Sequence, residues 1–149
     1  MTRPVEYSNL IKARVFVEQA ATPGAIDAYL KNADAFLGAA QLLMNAEDIY
    51  MPAFSAAYEG FFQVVQAVLE FYEVRIKDAG RNAAIQRVCA DLKMNSTEIK
   101  LVTNAHGRRN DTSYISPIPP ISKAEAKALI DILRKYLPVV SVLTQTGNV

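Results

Sequence analysis

The stretch 54–72, FSAAYEGFFQVVQAVLEFY, constrains this chain more than any other. Phe54, Ala57, Tyr58, Phe61, Val64, Val65, Val68, Leu69 and Tyr72 recur at helical spacing and form an unusually wide apolar stripe. A helix apolar over so much of its circumference needs other elements to cover it. The sequence therefore predicts a central helix over 52–76, with Pro52 at or near its start. Gly60 in its middle costs roughly 1 kcal/mol against alanine, which close packing against another helix would explain.

Covering helices are readable on both sides. ATPGAID signals a start, with Thr22 as N-cap and Pro23 at the first helical position. Ile26, Tyr29, Leu30, Ala33, Phe36, Leu37, Ala40 and Leu43 then make one stripe, predicting an amphipathic helix over 24–45. The pattern breaks at Gly80, and Ile85, Val88, Cys89 and Leu92 mark a short helix over 82–92. Cys89 lies on that stripe and reads as a small buried hydrophobe, not a nucleophile.

A fourth helix is expected over 96–114, capped by Asn95 or Ser96; no glutamate stands three residues beyond Ser96, so a full capping box is not expected there. Pro117, Pro119 and Pro120 forbid helix in ISPIPPIS. The last helix, over 122–144, opens on a capping box from Ser122 to Glu125. Its stripe is Ala126, Leu129, Ile130, Leu133, Leu137 and Val140, and Pro138 should kink or end it. The final TQTGNV reads as frayed, and residues 5–20 read as a short helix or an irregular lead-in. No strand alternation and no internal repeat is evident. The expected fold is one all-α domain, an up-and-down bundle of four long helices plus short pieces.

Composition removes several functions. A single cysteine forbids an internal disulfide and points to a reducing cytoplasm. MTRPVEYSNLIKARVF lacks the apolar region of a signal peptide, and no uncharged apolar run approaches the ~18 residues of a membrane span. One histidine and one cysteine, far apart, cannot build the usual zinc clusters, and no D-x-D or E-x-x-H spacing suggests magnesium. No Walker loop, GxGxxG or GxSxG is present, so no metal or cofactor is expected. A formal charge of +1 argues against a highly basic coat protein but leaves room for a local basic patch.

One stretch does not fit a plain bundle. AHGRRNDTSY, 105–114, gathers the only histidine, two arginines, an asparagine and a tyrosine. On a helical wheel Ile99, Leu101, Val102 and Ala105 define the apolar arc, and Arg109 falls within roughly 20° of its middle. His106 and Ser113 lie on one shoulder, Asn110 and Tyr114 stack on the next strip, and Arg108 points toward Leu101's side. A buried guanidinium cannot shed its proton. Arg109 must then pair with a neighbouring carboxylate or face a cleft that takes an anion. Gly107 beside the arginines either admits a second backbone or a ligand, or loosens the helix.

GRRNDTSY resembles the R-N-x-x-x-H signature of HEPN domains (higher eukaryotes and prokaryotes nucleotide-binding), in a branch with tyrosine in place of the histidine. The order of elements is similar over about 130 residues. IDAYLKNADAFLGAAQLL resembles the family's first long helix, and FSAAYEGFFQVVQAVLEFYEVR, with its Ala57-Tyr58 pair, the second. GRNAAIQRVCADL stands where a Gly-His segment is common, and ISKAEAKALIDILRKYL resembles the last helix. The resemblance implies a helical homodimer whose motif helices line one cleft. Active members are metal-independent endoribonucleases, often in toxin-antitoxin or defence systems beside a nucleotidyltransferase; others bind RNA or nucleotides, or act as accessory scaffolds. By position, Arg109 and Asn110 carry the motif, with Arg108 as a further phosphate ligand. Tyr114 stands where a catalytic histidine is expected. A phenol, with its reference pKa near 10, is a poor base at neutral pH. His106, three residues before Arg109, is the candidate to replace it.

Overall fold

The computed structural model describes residues 3–46 and 48–146, with Ser113 and Thr146 described in their backbone only. The chain is mostly helical: α1 (Val5–Lys12), α2 (Ala25–Leu43), α3 (Met51–Phe71), α4 (Arg81–Asp91), α5 (Ser96–Asn110) and α6 (Lys123–Thr146). A five-residue π turn, Asp111–Ile115, continues α5.

The wide stripe of α3 does what its composition requires. Thirteen of its twenty-one residues are buried, and α2, α4, α5 and α6 all pack on it. Gly60 is where the packing is tightest. A Cβ there would stand 2.6 Å from Leu133 Cδ2 of α6 and 3.0 Å from Phe36 Cβ of α2. The glycine thus lets three helices meet, as its mid-helix position suggested. By contrast α2 buries only Ala33 and Ala40 fully, and Leu43, expected on its inner stripe, is 37% exposed.

Several expectations are corrected. The helix expected over 52–76 ends at Phe71, because Glu73 takes a left-handed conformation (φ 59°) and the chain turns. Residues Val74–Ile76 then form strand β2, antiparallel to β1 (Phe16–Glu18), with Phe16 opposite Ile76. Two three-residue strands are too short to register as alternation. The uncertain 5–20 segment is therefore helix plus strand. It is anchored by Tyr7, fully buried, whose hydroxyl donates to the Asp91 carboxylate at 2.6 Å.

Thr22 is not the N-cap of α2. Gly24 is, with φ 83°, a conformation that glycine adopts freely, and the Thr22 carbonyl accepts from Ala25 N–H instead. The capping box absent from Ser96 is present one residue earlier: Glu98 N–H donates to Asn95 Oδ1 at 2.8 Å and Asn95 N–H to Glu98 Oε1 at 3.0 Å. The box at Ser122 and Glu125 is as expected. Pro138 neither ends α6 nor removes it from the core. It lies on the exposed side, so its missing N–H costs no buried partner, while Leu133, Tyr136 and Val140 stay buried around it. The fraying expected of 144–149 does not begin before Thr146; residues 147–149 lie outside those described.

Cys89 is fully buried, and burial followed by the negative charge of Glu98 pushes its thiol up to about 12. It is the inert core residue its position implied. Among the described residues, no helix is long and apolar enough to cross a membrane. None of their His, Cys, Asp and Glu side chains gather as a group of three that could hold a metal ion.

The contact at Gly60 yields a direct test. Gly60→Ala gains helix propensity but drives a methyl into Leu133 and Phe36, which cannot both move away within the packed layer. We expect net destabilisation of about 1–3 kcal/mol, measured by urea unfolding; a stabilised variant would show that α2 and α6 can spread.

Candidate functional site

The odd stretch leaves the core where α5 does. Val102 and Ala105 are buried, and beyond them the helix emerges from between α3 and α4 with polar side chains on its inner face. Arg109 pairs with Glu59 of α3, so the first of the two arrangements open to its guanidinium is realised. The pair is not sealed: the Arg109 side chain is 20% exposed and that of Glu59 35%. Arg109 Cζ lies 5.1 Å from the centroid of the Tyr58 ring, within cation–π range. Its Nη2 donates to Asn110 Oδ1 at 3.4 Å.

That contact orients the Asn110 amide. Its Nδ2 then faces His106 Nε2 at 3.2 Å and donates to it. The imidazole proton is left on Nδ1, which is buried and has no hydrogen-bond partner among the described residues. The ring also packs on Tyr58, centroids 5.5 Å apart. His106 is held below the ordinary imidazole value, first by burial, then by the positive charges of Arg81 and Arg109, with Glu59 opposing. At neutral pH it is uncharged.

Arg81, the first residue of α4, completes the cluster. Its guanidinium stacks over Phe62, Cζ 4.0 Å from the ring centroid, and Nη1 donates to the Tyr58 hydroxyl at 3.3 Å. Burial raises the Tyr58 phenol above its usual value against the lowering effect of this bond. Sequence reasoning missed three members of this cluster as site residues. Glu59 follows a stripe residue, Tyr58 looked like core, and Arg81 merely followed the break at Gly80. The one available signal was the exceptional arginine on α5, which required a carboxylate somewhere on a neighbouring helix.

The structure separates the other expected residues from this group. Arg108 sits on Leu101's side, as the wheel indicated, and borders a groove of about 380 Å3 with Phe54, Leu101 and Ala105. Its Nε and Nη2 donate to Glu125 at 2.9 and 3.3 Å, and its Nη1 to Thr112 at 3.2 Å. The remaining two donors reach the carbonyls of Pro119 and Pro120 at 3.0 and 2.9 Å. All five guanidinium N–H groups are thereby used. Tyr114 does not stack on Asn110. The α5 helix, expected to run to 114, gives way to the π turn after Asn110, which closes with Ser116 N–H on the Asp111 carbonyl at 2.8 Å. The changed winding carries Tyr114 outward, to 84% exposure beside Ile115 at 80%. Gly107 faces open space: a Cβ there would meet no atom of the described residues within 4 Å. A larger cavity, about 640 Å3 between the start of α2 and the end of α6, contains none of these residues.

No protein-family model matches the chain, and no curated protein matches its sequence.

Two tests follow. Removing the fork that ties the proline segment down, by Arg108→Ala, should open 111–120 to proteolysis at protease levels that leave the wild type intact; unchanged digestion would mean that the segment holds itself. For His106, the unfolded imidazole protonates near pH 6.5 while the folded one resists to a lower pH. The unfolded state thus binds more protons in that window, so folding stability should fall as pH drops from about 6.5 to the folded value, then level off. Unfolding curves of His106→Gln should lack this slope; an identical pH profile would place the titration elsewhere.

Proposed function

We propose that this chain is a HEPN-like helical bundle that binds the phosphate groups of RNA or of a nucleotide at the end of α5, without cutting the chain it binds. The single observation that carries the reading is Arg109: a mostly buried but not sealed guanidinium over an aromatic face, flanked by His106 and Asn110, where α5 leaves the core. Arginine binds phosphate through parallel charge-assisted hydrogen bonds, and the fully buried Tyr58 ring backs this guanidinium from the core side. Binding requires the phosphate to replace Glu59 at Arg109, and the 35% exposure of that carboxylate makes exchange with solvent feasible.

The geometry argues for binding over cleavage. A general base must reach the proton it removes. His106 Nε2 is occupied by Asn110 and its Nδ1 is buried, while Tyr114 is exposed on the π turn and makes no hydrogen bond to Arg109. The two basic residues also divide their work: Arg108, with no free donor, holds the loop, and Arg109 is the phosphate ligand. The wider reading follows the resemblance: an up-and-down four-helix bundle, a cytoplasmic homodimer through its motif helices, acting in a toxin-antitoxin or defence setting beside a nucleotidyltransferase. The pairing of Arg109 with Glu59 favours a second reading, a non-catalytic scaffold for such a partner.

The test combines fluorescence anisotropy of a labelled single-stranded RNA with a cleavage assay in EDTA. We expect wild-type binding without product, and binding weakened roughly tenfold or more in Arg109→Ala. Cleavage that disappears in Arg109→Ala would instead establish a metal-independent nuclease. Absence of RNA and nucleotide binding from folded protein would leave only the scaffold.

A further inference from the structure

Arg81 differs from the other arginines near the core. Arg3, Arg87, Arg108 and Arg109 each pair with a carboxylate, Glu18, Asp91, Glu125 and Glu59 respectively. Arg81 is half-buried too, yet no carboxylate pairs with it among the described residues. Two aromatic side chains fix it instead: Phe62 under its plane at 4.0 Å and the Tyr58 hydroxyl at 3.3 Å. Of five N–H groups, this leaves four with no acceptor among the described residues. A charge that is held rigid, stripped of part of its water and given no counter-ion is arranged for an anion from outside.

The neighbours define which anion. Arg109 lies on the face of the Tyr58 ring and Arg81 at its hydroxyl, so one aromatic ring spaces two guanidinium groups. Among the described residues, Glu59 is the only carboxylate partner that the pair of arginines has. With His106 neutral, the cluster carries two positive charges and one negative one. Charge balance calls for a single anionic group, and two planar forks favour one with several acceptor oxygens.

We infer that Arg81, and not only Arg109, is a phosphate ligand of this chain: the unpaired guanidinium on Phe62 and Tyr58 receives a phosphoryl group first, and Arg109 joins it on leaving Glu59. The inference rests on the phosphate-binding reading above and adds to it a residue outside the α5 motif. The phosphoryl group belongs to either a free nucleotide or an RNA backbone.

The experiment uses the full chain and the variants Arg81→Gln, Arg81→Met and Arg109→Ala. Glutamine can still donate to the Tyr58 hydroxyl while dropping the charge; methionine keeps volume over Phe62. The probes are ATP and a single-stranded RNA oligonucleotide without terminal phosphates, titrated by calorimetry and by the ring resonances of His106, which is the chain's only histidine. We expect at least one probe to bind the wild type, each Arg81 variant that folds to weaken it roughly tenfold or more, and binding to raise the pH at which His106 titrates. ATP binding with no RNA binding assigns the site to nucleotides, and RNA binding with no ATP binding to the polymer backbone. Wild-type affinity in Arg81→Gln together with loss in Arg109→Ala overturns the role of Arg81 and leaves the phosphate reading standing. Failure of the wild type to bind either probe overturns both.

Discussion

Enclosing α3 is the constraint on which everything else depends. A helix with thirteen buried residues of twenty-one has almost no face to give to water, so four helices must surround it. Gly60 sets how closely two of them come, and Ala33, Phe36 and Leu133 are the atoms that meet there. With α2 and α6 occupying that side, α4 and α5 take another. The short helix α5 is seated by only a few apolar residues, Val102 and Ala105 chief among them. Past Ala105 there is no more core for it to cover. The polar end of α5 is therefore the place where the enclosure stops, and α3 supplies there the partly exposed Glu59 beside the buried Tyr58 and Phe62.

Adjacent arginines at this edge have opposite duties because successive helical residues point about 100° apart. Arg108 turns toward the proline segment, whose carbonyls have no helix or sheet N–H to donate to them. A guanidinium with five donors closes two of them and locks onto Glu125, itself fixed by the capping box with Ser122. Arg109 turns toward α3 and pairs with the partly exposed carboxylate of Glu59. The first arginine holds shape and the second holds charge, and only their side of the helix distinguishes them.

What was legible in the sequence is what depends on periodicity. The α3 stripe, the α6 capping box, the buried Cys89 and the interruption at 117–120 all follow from spacing or from the absence of a proline N–H. Features set by single backbone dihedrals were not legible. Glu73, Lys93 and Arg14 adopt left-handed conformations just after α3, α4 and α1 without being glycine, so no residue type announced those helix ends. The β1–β2 ladder hangs on one of these turns. At the site, the wheel placed Arg109 correctly against the core and Arg108 on Leu101's side. The same wheel failed for Tyr114, because it assumed α geometry where the chain winds into a π turn. Arg81 and Glu59 were invisible for a different reason: they come together with α5 only through tertiary packing, and neither lies near 105–114 in the chain.

The cluster's electrostatics tie these residues into one unit. His106 resists protonation partly because Arg81 and Arg109 already place positive charge beside it. An anion held between those arginines removes the field that opposes the imidazolium. Linkage is reciprocal, so whatever factor the anion adds to the proton affinity of His106, protonation of His106 adds to the affinity for the anion. Glu59, paired with Arg109, acts on His106 in the direction expected of the proposed ligand. On the proposed reading, a neutral histidine bonded to Asn110, a displaceable carboxylate and a guanidinium with no counter-ion among the described residues are the resting state of an anion site. None of the three makes equal sense as packing alone, since replacing Arg81 by an apolar side chain over Phe62 would remove an uncompensated charge from the same position.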